Sequence, residues 1–273
     1  MRMPGLPCLS YETGTAIPVS TATGKPGADI SVGGAGTFPT AIAITPDGKT
    51  AYVPATTSAG EEVVTPIDTA TGTAGKPISA GTSSAGGCAA DVIAITPDGK
   101  TAYVTNYTNG TVIPISTATG TAGPPIRTGT NPSGIAITPD GRTAYVSSQG
   151  SGTVTPIQAA TNTPGPPIKI GKPINPIASG CATYAIAITP DGKTAYVTSY
   201  NDGTVIPIST ATGTAGPPIR TGTNPSDIAI TPGGETAYVS NKGSGTVTPI
   251  NTATNTPGTP IPASGPGPIA IAP

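Results

Sequence analysis

The chain has 273 residues, including 38 glycines and 34 prolines, and only 9% of its residues are charged, with 12 basic against 13 acidic side chains. This balance, without any basic stripe, excludes a nucleic-acid binder of the kind that displaces counterions from phosphates. No apolar run approaches the roughly 20 residues of a membrane span, and Met1–Ser10 lacks the apolar stretch of a signal peptide.

One segment, IAITPDGKTAYV, recurs along the chain with small changes. Its proline is repeated in steps of 51, 42, 51 and 42 residues, close to the roughly 40–50 residues of one four-stranded propeller blade. The period therefore predicts a folded repeat protein, whereas the same glycine and proline content without a period would indicate disorder. The five copies are Ile42–Val53, Ile93–Val104, Ile135–Val146, Ile186–Val197 and Ile228–Val239.

Each repeat predicts four short strands. IAI is strand 1, TPDG is a tight turn, TAYV is strand 2, the TVIPIST type is strand 3 and the PPIRTG type is a short strand 4. In the turn, proline presets φ, aspartate caps the backbone and glycine accepts a positive φ. Helical periodicity is absent, so the pattern predicts an all-β protein. The tyrosine of strand 2 is expected to pack in the core at Tyr52, Tyr103, Tyr145, Tyr196 and Tyr238.

The two chain ends share one phase of the repeat. Gly14–Gly24 aligns with strand 3 of Gly110–Gly120, and Ile269–Pro273 repeats strand 1. We therefore expect a six-bladed β-propeller of four-stranded blades, closed by a split blade that joins the C-terminal strand 1 to N-terminal strands 2–4. The expected single domain, 1–273, consists of blades 38–88, 89–131, 132–182, 183–224 and 225–265, with the split blade formed by 1–37 and 266–273.

Strand 3 contains a proline in every repeat. Proline cannot donate a ladder hydrogen bond and is normally confined to sheet edges. We therefore expect a short strand 4 that leaves part of strand 3 as an edge. These prolines are Pro18, Pro66, Pro114, Pro156, Pro207 and Pro249.

The segment TPDGKTAYVTN at Thr96–Asn106, followed by GTV and STATG, resembles the YVTN β-propeller repeat of archaeal and bacterial surface proteins. The resemblance covers nearly the whole chain and implies a propeller fold. Its relatives include surface-layer and adhesion-like modules, and similar seven-bladed propellers include lactonases and a streptogramin lyase. This chain departs in having six units and prolines in strand 3. The resemblance implies a binding scaffold and no particular activity.

The chain has no histidine, which excludes the commonest general base and metal ligand and every Ser-His-Asp arrangement. Carboxylates are sparse, and one per blade belongs to a TPDG turn, where we expect it to cap the backbone. We therefore predict no catalytic residue, no metal and no cofactor. The turn aspartates are Asp47, Asp98, Asp140 and Asp191.

Two of the repeats are nine residues longer than the 42-residue unit, and each contains a cysteine in the connection from strand 4 to the next strand 1. Cys88 and Cys181 stand at equivalent positions two blades apart. Such positions on adjacent inner strands of a ring lie roughly 12–15 Å apart, beyond direct bridging unless the loops lean inward, so a Cys88–Cys181 disulfide and two free buried thiols are both open. Cys8 replaces a valine of strand 2 and is expected to be a small core residue.

By propeller convention, these connections share a face with the loops between strands 2 and 3. Tyrosine, arginine and aspartate around a concave opening suit a sugar or a peptide. Glu61 and Glu62 are expected on the same face. The predicted ligand-binding residues are Asp91, Tyr107, Arg127, Tyr184, Tyr200, Arg220 and Asp227.

The leading hypothesis is a monomeric, non-catalytic binding or surface-display propeller whose ligand is a glycan, a peptide, a protein or a small metabolite. The alternative is a histidine-independent hydrolase or lyase, similar to a lactonase, that works through carboxylates with or without a metal. A third is a purely structural repeat of a longer cell-surface chain. A surface rich in Thr, Ser, Asn and Gly predicts an extracytoplasmic location.

Overall fold

The structure is a computed structural model that describes residues 5–10, 14–20, 22–34, 36–82, 91–173 and 184–271, with only the backbone described for 5–10. Every regular element in these ranges is a β-strand, which confirms the all-β prediction. Accordingly, none of them is a helix long and apolar enough to cross a membrane. Cys88 and Cys181 lie outside the described residues, as does the side chain of Cys8.

The chain forms two compact units, Met1–Arg127 and Thr128–Pro273, each of which contains three sheets. The first unit holds sheet 1 with β1 (Gly5–Ser10), β2 (Thr15–Ser20) and β3 (Ile30–Ser31); sheet 2 with β4 (Thr37–Pro39), β5 (Ala43–Ile44), β6 (Thr50–Thr57), β7 (Glu61–Asp68), β8 (Thr73–Ala74) and β9 (Ile78–Thr82); and sheet 3 with β10 (Ile93–Ile95), β11 (Thr101–Asn106), β12 (Thr111–Ser116), β13 (Thr121–Ala122) and β14 (Ile126–Arg127).

The second unit repeats the same arrangement. It holds sheet 4 with β15 (Pro132–Ile137), β16 (Thr143–Ser148), β17 (Thr153–Gln158), β18 (Thr163–Pro164) and β19 (Ile168–Lys169); sheet 5 with β20 (Ile186–Ile188), β21 (Thr194–Ser199), β22 (Thr204–Ser209), β23 (Thr214–Ala215) and β24 (Ile219–Arg220); and sheet 6 with β25 (Pro225–Ile230), β26 (Thr236–Asn241), β27 (Thr246–Asn251), β28 (Thr256–Pro257) and β29 (Ile261–Pro262).

Within each sheet all the strand pairings are antiparallel, and both pieces of a divided strand 4 pair with strand 3. In sheet 3, β10 pairs with β11 and β11 with β12, and both β13 and β14 pair with β12. One end of each sheet therefore carries the loop between strands 2 and 3 together with the end of strand 4; we call it the loop end. The opposite end, which we call the turn end, carries the TPDG turn and the turn between strands 3 and 4.

The TPDG turns are held as the sequence predicts. Asp98 Oδ1 accepts hydrogen bonds from Thr96 Oγ1 at 2.6 Å and from the Lys100 amide at 3.1 Å. Gly99 follows with a φ of +73°, a conformation that side chains other than glycine rarely adopt. The hydrogen bonds lower the pKa of Asp98, because they stabilise its charged form. The same arrangement recurs at Asp47, Asp140 and Asp191.

Strand 4 is divided into two pieces opposite the strand 3 proline, which refines the prediction of one short strand. Pro114 pairs with Tyr103 on one side, and on its other side β13 and β14 leave a gap at Gly123. The Gly123 amide donates to the Pro114 carbonyl at 2.7 Å, and a Cβ on Gly123 would lie 3.2 Å from Pro114 Cγ. The sheet therefore accommodates the missing N–H of proline by placing a glycine against its ring.

The core lies between neighbouring sheets of each unit. In the first unit, Tyr52 and Val64 of sheet 2 pack with Val104 and Ile115 of sheet 3. The second unit has equivalent clusters between sheets 4 and 5 and between sheets 5 and 6. Four of the five strand 2 tyrosines are buried, which confirms their predicted packing role, and Tyr238 is half-buried.

The chain ends have fewer strand pairings than the complete repeats. Sheet 1 consists of β1, β2 and β3, and residues 266–271 lie outside any strand. Closure of sheet 1 by the C-terminal strand therefore stays a prediction. What the structure does show at the C-terminus is a hydrogen bond within the second unit, from the Ile269 amide to Asp227 Oδ2 at 2.7 Å.

Candidate functional site

At the loop end, strand 2 of sheets 3–6 finishes on a buried polar residue. The alternation that buries the valine of TAYV brings this position, two residues later, to the same face of the strand. A buried polar side chain must find hydrogen-bonding partners, and here it does so largely within the adjoining loop and strands. The four residues are Asn106, Ser148, Ser199 and Asn241.

Asn106 ties the loop of sheet 3 to the end of strand 4 of sheet 2. Its Nδ2 donates to the Thr82 carbonyl at 3.2 Å, and its Oδ1 accepts from the Asn109 amide at 2.9 Å. Asn109 Nδ2 donates to the same Thr82 carbonyl at 2.7 Å. These bonds hold the loop after β11 in one conformation against its neighbouring sheet.

Two carboxyl groups meet beside Asn106. Glu62 is the second residue of strand 3 of sheet 2, and Asp91 precedes strand 1 of sheet 3; their side chains are 0% and 2% exposed. Asn106 Nδ2 donates to Glu62 Oε2, and the Tyr107 amide donates to Asp91 Oδ1 at 2.9 Å. We call Glu62 and Asp91 the carboxyl pair.

The carboxyl pair holds a proton at neutral pH. Burial, together with the hydrogen bond and the charge of Asp91, raises the pKa of Glu62 to about 11. Burial also raises the pKa of Asp91, but hydrogen bonds from Glu62 and from the Tyr107 amide oppose that increase. The proton therefore belongs to Glu62, whose hydroxyl donates to the Asp91 carboxylate. Asn106 donates to Glu62 Oε2, and no N–H group of the described residues donates to Glu62 Oε1.

The second unit has a tyrosine at the position of Asp91. Tyr184 is fully buried, and its hydroxyl donates to the Lys172 carbonyl at 2.9 Å. Burial raises the pKa of this hydroxyl, and a hydrogen bond with Ser199 opposes the increase. Ser199 Oγ in turn donates to Asp202 Oδ2 at 2.8 Å. Tyr184 thus packs inside the loop end and hydrogen-bonds to its backbone.

The other predicted ligand-binding residues differ in their exposure. Tyr107 is only 8% exposed, and Tyr200 is half-buried against the core cluster of sheets 4 and 5. Arg127 and Arg220 are exposed at the end of strand 4 in their sheets. In the first unit the structure brings Asp91 and the Tyr107 backbone into direct contact.

Asp227 is half-buried and accepts the hydrogen bond from the Ile269 amide. Burial raises its pKa, while this bond and one from the Ile228 amide oppose the increase. Its observed contact is with the chain itself, so a ligand-binding role for Asp227 stays a prediction. Among the side chains that the structure describes, no three acidic or thiol groups cluster in a way that could hold a metal.

Sequence reasoning placed Glu62 on the loop face but not among the ligand-binding residues. A signal was present, because the position four residues before the strand 3 proline is glycine in every other repeat. A three-residue longer loop and a bulge between Glu62 and Val63 let a residue other than glycine occupy it. The corresponding glycines, which all have a positive φ, are Gly14, Gly110, Gly152, Gly203 and Gly245.

Several buried polar atoms at the loop end have no partner among the described residues. They come from the last residues of strand 2 or from the residue after strand 4. Buried polar groups are nearly always hydrogen-bonded, so such atoms are unusual and call for solvent or a ligand. The atoms are Thr56 Oγ1, Thr128 Oγ1, Ser148 Oγ and Asn241 Oδ1.

Comparison with known proteins addresses the fold. No family model matches the chain, and no curated protein matches it. Hydrazine synthase of Kuenenia stuttgartiensis is similar in structure, with a TM-score of 0.69 and 21% identity over 98% of this chain and 89% of that one. A functionally unknown protein from Desulfotomaculum acetoxidans has a TM-score of 0.67 and 15% identity over 95% of this chain and 87% of that one. At such identities the likeness concerns architecture alone. Together with the six repeated sheets, it shows that the chain is an all-β protein with the six-bladed β-propeller fold.

Proposed function

We propose that this chain is a non-catalytic binding or surface-display propeller that takes a glycan, a peptide or a small metabolite at the loop end of its sheets. The observation that carries the proposal is the group of buried polar atoms there whose hydrogen-bonding capacity the described residues leave unused. Ligand sites typically place a few such polar groups in a largely preformed surface.

The rigidity of the loop end supports the same proposal. Asn106 and Asn109 fix one loop to the neighbouring strand, and Ser199 fixes another through Asp202. A loop that is already ordered loses less conformational entropy when it binds a ligand. A scaffold of repeated strands with differing, internally bonded loops is a common arrangement in binding proteins.

The alternative function, a histidine-independent hydrolase or lyase, is favoured by the carboxyl pair. A protonated Glu62 beside an ionised Asp91 is the kind of asymmetric arrangement that enzymes use for acid and base catalysis. A general acid must, however, come within hydrogen-bonding reach of its substrate. Glu62 Oε2 and Asp91 Oδ1 already accept hydrogen bonds from Asn106 and the Tyr107 amide, which favours a structural role for the pair and therefore the binding function.

The membership and the location of the chain are part of the same proposal. The TPDGKTAYVTN segment supports assignment to the YVTN repeat family of surface proteins. A surface of Thr, Ser, Asn and Gly with 9% charged residues supports an extracytoplasmic location. The hydrazine synthase likeness carries no activity to this chain, since it concerns the fold.

A thermal-shift screen of glycans, dipeptides and small metabolites tests the proposal, because a compound that binds only the folded state raises the melting temperature. We expect at least one compound to raise it, and we expect Arg127→Ala or Arg220→Ala to reduce that rise, since both side chains are exposed at the loop end. Lys100→Ala, an exposed change at the turn end, is the matched control and should leave the rise unchanged.

A screen in which no compound shifts the melting temperature would count against binding. Turnover of any compound would favour the enzyme, provided that Glu62→Gln abolishes it, because glutamine keeps the hydrogen bonds but cannot transfer the proton. Turnover unaffected by Glu62→Gln would exclude the carboxyl pair as its origin.

A further inference from the structure

Two grooves open at the turn end, one in each unit. The groove of the first unit lies between sheets 2 and 3, has a volume of about 320 Å³ and is lined by Pro46, Asp47, Tyr52, Asp98 and Thr117 among others. The groove of the second unit lies between sheets 4 and 5, has a volume of about 380 Å³ and is lined by Pro139, Asp140, Tyr145, Asp191 and Thr210 among others. We call them the turn-end grooves.

The turn-end grooves are built from equivalent residues. Each has the proline and aspartate of one TPDG turn, the aspartate of the next turn, and the strand 2 tyrosine between them. In each, the tyrosine hydroxyl donates to the carbonyl of a threonine in the next sheet, at 3.4 Å for Tyr52 and 3.2 Å for Tyr145. The two grooves therefore offer the same chemistry twice in one chain.

Two positions distinguish these two sheet junctions from the junction of sheets 5 and 6. At that junction Gly233 replaces the aspartate of the second turn. There the turn between strands 3 and 4 contains Asn255, whose Oδ1 accepts from the Tyr196 hydroxyl at 2.6 Å. The equivalent residues beside the turn-end grooves are Gly120 and Gly213. Glycine leaves the space beside the tyrosine hydroxyl that the asparagine side chain occupies at the other junction.

The backbone is the same in both cases. Gly120 and Gly213 have φ values of +63° and +65°, and Asn255 has +55°. Asparagine tolerates this left-handed conformation better than most residues. The choice between glycine and asparagine thus opens or fills the groove without requiring a different turn.

The charges of each groove balance. Hydrogen bonds from Thr138 and the Arg142 amide lower the pKa of Asp140, so this carboxyl is ionised at neutral pH. Arg142 Nε lies 3.8 Å from Asp140 Oδ2, and Lys193 Nζ lies 3.5 Å from Asp191 Oδ2. Each carboxylate has a basic partner two residues along the chain, which favours a ligand without net charge.

The lining also indicates the kind of neutral ligand. Carboxylate oxygens and threonine hydroxyls accept hydrogen bonds from hydroxyl groups, while the rings of Pro139 and Tyr145 offer carbon surfaces. A polyhydroxylated ring compound presents both kinds of group. Volumes of about 320 and 380 Å³ lie at the lower end of small-molecule sites, which suits one or two sugar residues rather than a longer chain.

We propose that the two turn-end grooves are equivalent binding sites for a neutral saccharide, one per unit, kept open by Gly120 and Gly213. This goes beyond the function proposed above, which places a ligand at the opposite, loop end of the sheets. The saccharide hydroxyls donate to the turn aspartates, and a sugar face lies against the proline and tyrosine rings.

Isothermal titration calorimetry and saturation-transfer NMR with maltotriose, cellotriose and mannotriose test the proposal. We expect at least one trisaccharide to bind the wild-type chain at both grooves, Gly213→Asn to retain one site, and Gly120→Asn/Gly213→Asn to retain none. Folding is expected to survive, because the chain already accepts asparagine at this turn position in Asn255. Circular dichroism and the melting temperature verify that it does.

Gly24→Asn is the matched control. Gly24 occupies the same turn position with a φ of +66°, but it belongs to sheet 1, which contributes no residue to either groove, so its substitution should leave the stoichiometry unchanged. The proposal is overturned if none of the three trisaccharides binds the wild-type chain, or if binding persists unchanged in a folded double asparagine variant. Binding that responds to Arg127→Ala instead would belong to the loop end and would also overturn it.

Discussion

The proton held by Glu62 should make the stability of the chain depend on pH in an unusual direction. In the folded state burial raises the pKa of Glu62 to about 11, against an ordinary value of 4.5 that applies once the chain unfolds. Between these two values the folded chain binds one more proton than the unfolded chain. The free energy of unfolding therefore falls as the pH rises through this window, because deprotonation favours the unfolded state.

The magnitude follows from the linkage of one proton. Each pH unit within the window lowers the free energy of unfolding by about 1.4 kcal/mol, so the loss between about pH 5 and about pH 8 is roughly 4 kcal/mol. No discount for solvent screening applies, since Glu62 is 0% exposed. A domain is typically stable by only about 5–15 kcal/mol, so the effect should be easily measured.

Glu62→Gln removes the titration and keeps the contacts. The glutamine amide can donate to Asp91, as the protonated carboxyl does, and its oxygen can accept from Asn106 Nδ2. We expect the variant to match the wild type at about pH 5 and to exceed its stability by up to about 4 kcal/mol at about pH 8. Urea denaturation at both pH values provides the comparison.

Glu61→Gln is the control, because Glu61 is the exposed neighbour of Glu62 in the same strand. It removes a glutamate carboxyl from the surface instead of from the interior, and the pH dependence of the free energy of unfolding should stay almost the same as in the wild type. Asp91 is present in all three proteins, so the difference between their slopes reports Glu62. Equal slopes for the wild type and Glu62→Gln would refute the reasoning, since Glu62 would then be ionised in the folded chain.

Two further predictions concern single contacts. Asp227→Ala should lower the free energy of unfolding by about 1.5–3 kcal/mol and reduce hydrogen-exchange protection of the Ile269 amide, because a charged acceptor is lost. Asp227→Asn keeps an oxygen and should recover much of the stability and of the protection. Unchanged protection in the alanine variant would contradict this prediction. Gly216→Ala should lower the melting temperature more than Gly267→Ala, because its new Cβ would lie 3.2 Å from Pro207 Cγ, whereas a Cβ on Gly267 would have nothing within 4 Å. Differential scanning calorimetry compares the two variants, and equal melting temperatures would refute the steric argument.

The repeated part of the fold could be predicted because each element depends on local chemistry. The TPDG turn needs only a proline, an aspartate and a glycine in order, and the capped Asp98 turn has this form. Alternation along TAYV likewise places Tyr103 and its equivalents in the core. Such features require no knowledge of which sheet packs against which.

The division of strand 4 was only partly predictable. The strand 3 proline indicates that a ladder hydrogen bond is missing, and so a short neighbouring strand. It does not show that Gly123 would stand opposite Pro114, with strand resuming beyond it at β14. That outcome depends on the register between strands 3 and 4, which the turn between them sets.

The burial of the predicted ligand residues could not be inferred from loop position alone. Tyr107 and Tyr184 follow or precede strands in polar segments, where side chains are usually exposed. In the structure both are buried, and the Tyr184 hydroxyl reaches the Lys172 carbonyl beyond the end of strand 4 of the preceding sheet. Residues outside the local segment contribute to this burial, as Lys172 does for Tyr184.

The carboxyl pair shows why equivalent positions must be compared in combination. Asp91 and Tyr184 both stand six residues before the anchor proline of their repeats, and Glu62 and Gly152 both stand four residues before a strand 3 proline. Where the buried side chain is a long tyrosine, the facing position is glycine; where it is a short aspartate, the facing position is glutamate. Taken singly, each change is an isolated departure from the repeat. Taken together, Glu62 and Asp91 bring two carboxyl groups to one buried place, whereas the short Ser133 and Ser226 are matched with Gly110 and Gly203. Burial of the two acids together makes Glu62 hold its proton. The unusual electrostatics of Glu62 therefore follow from packing, which is why they are to be tested first through stability.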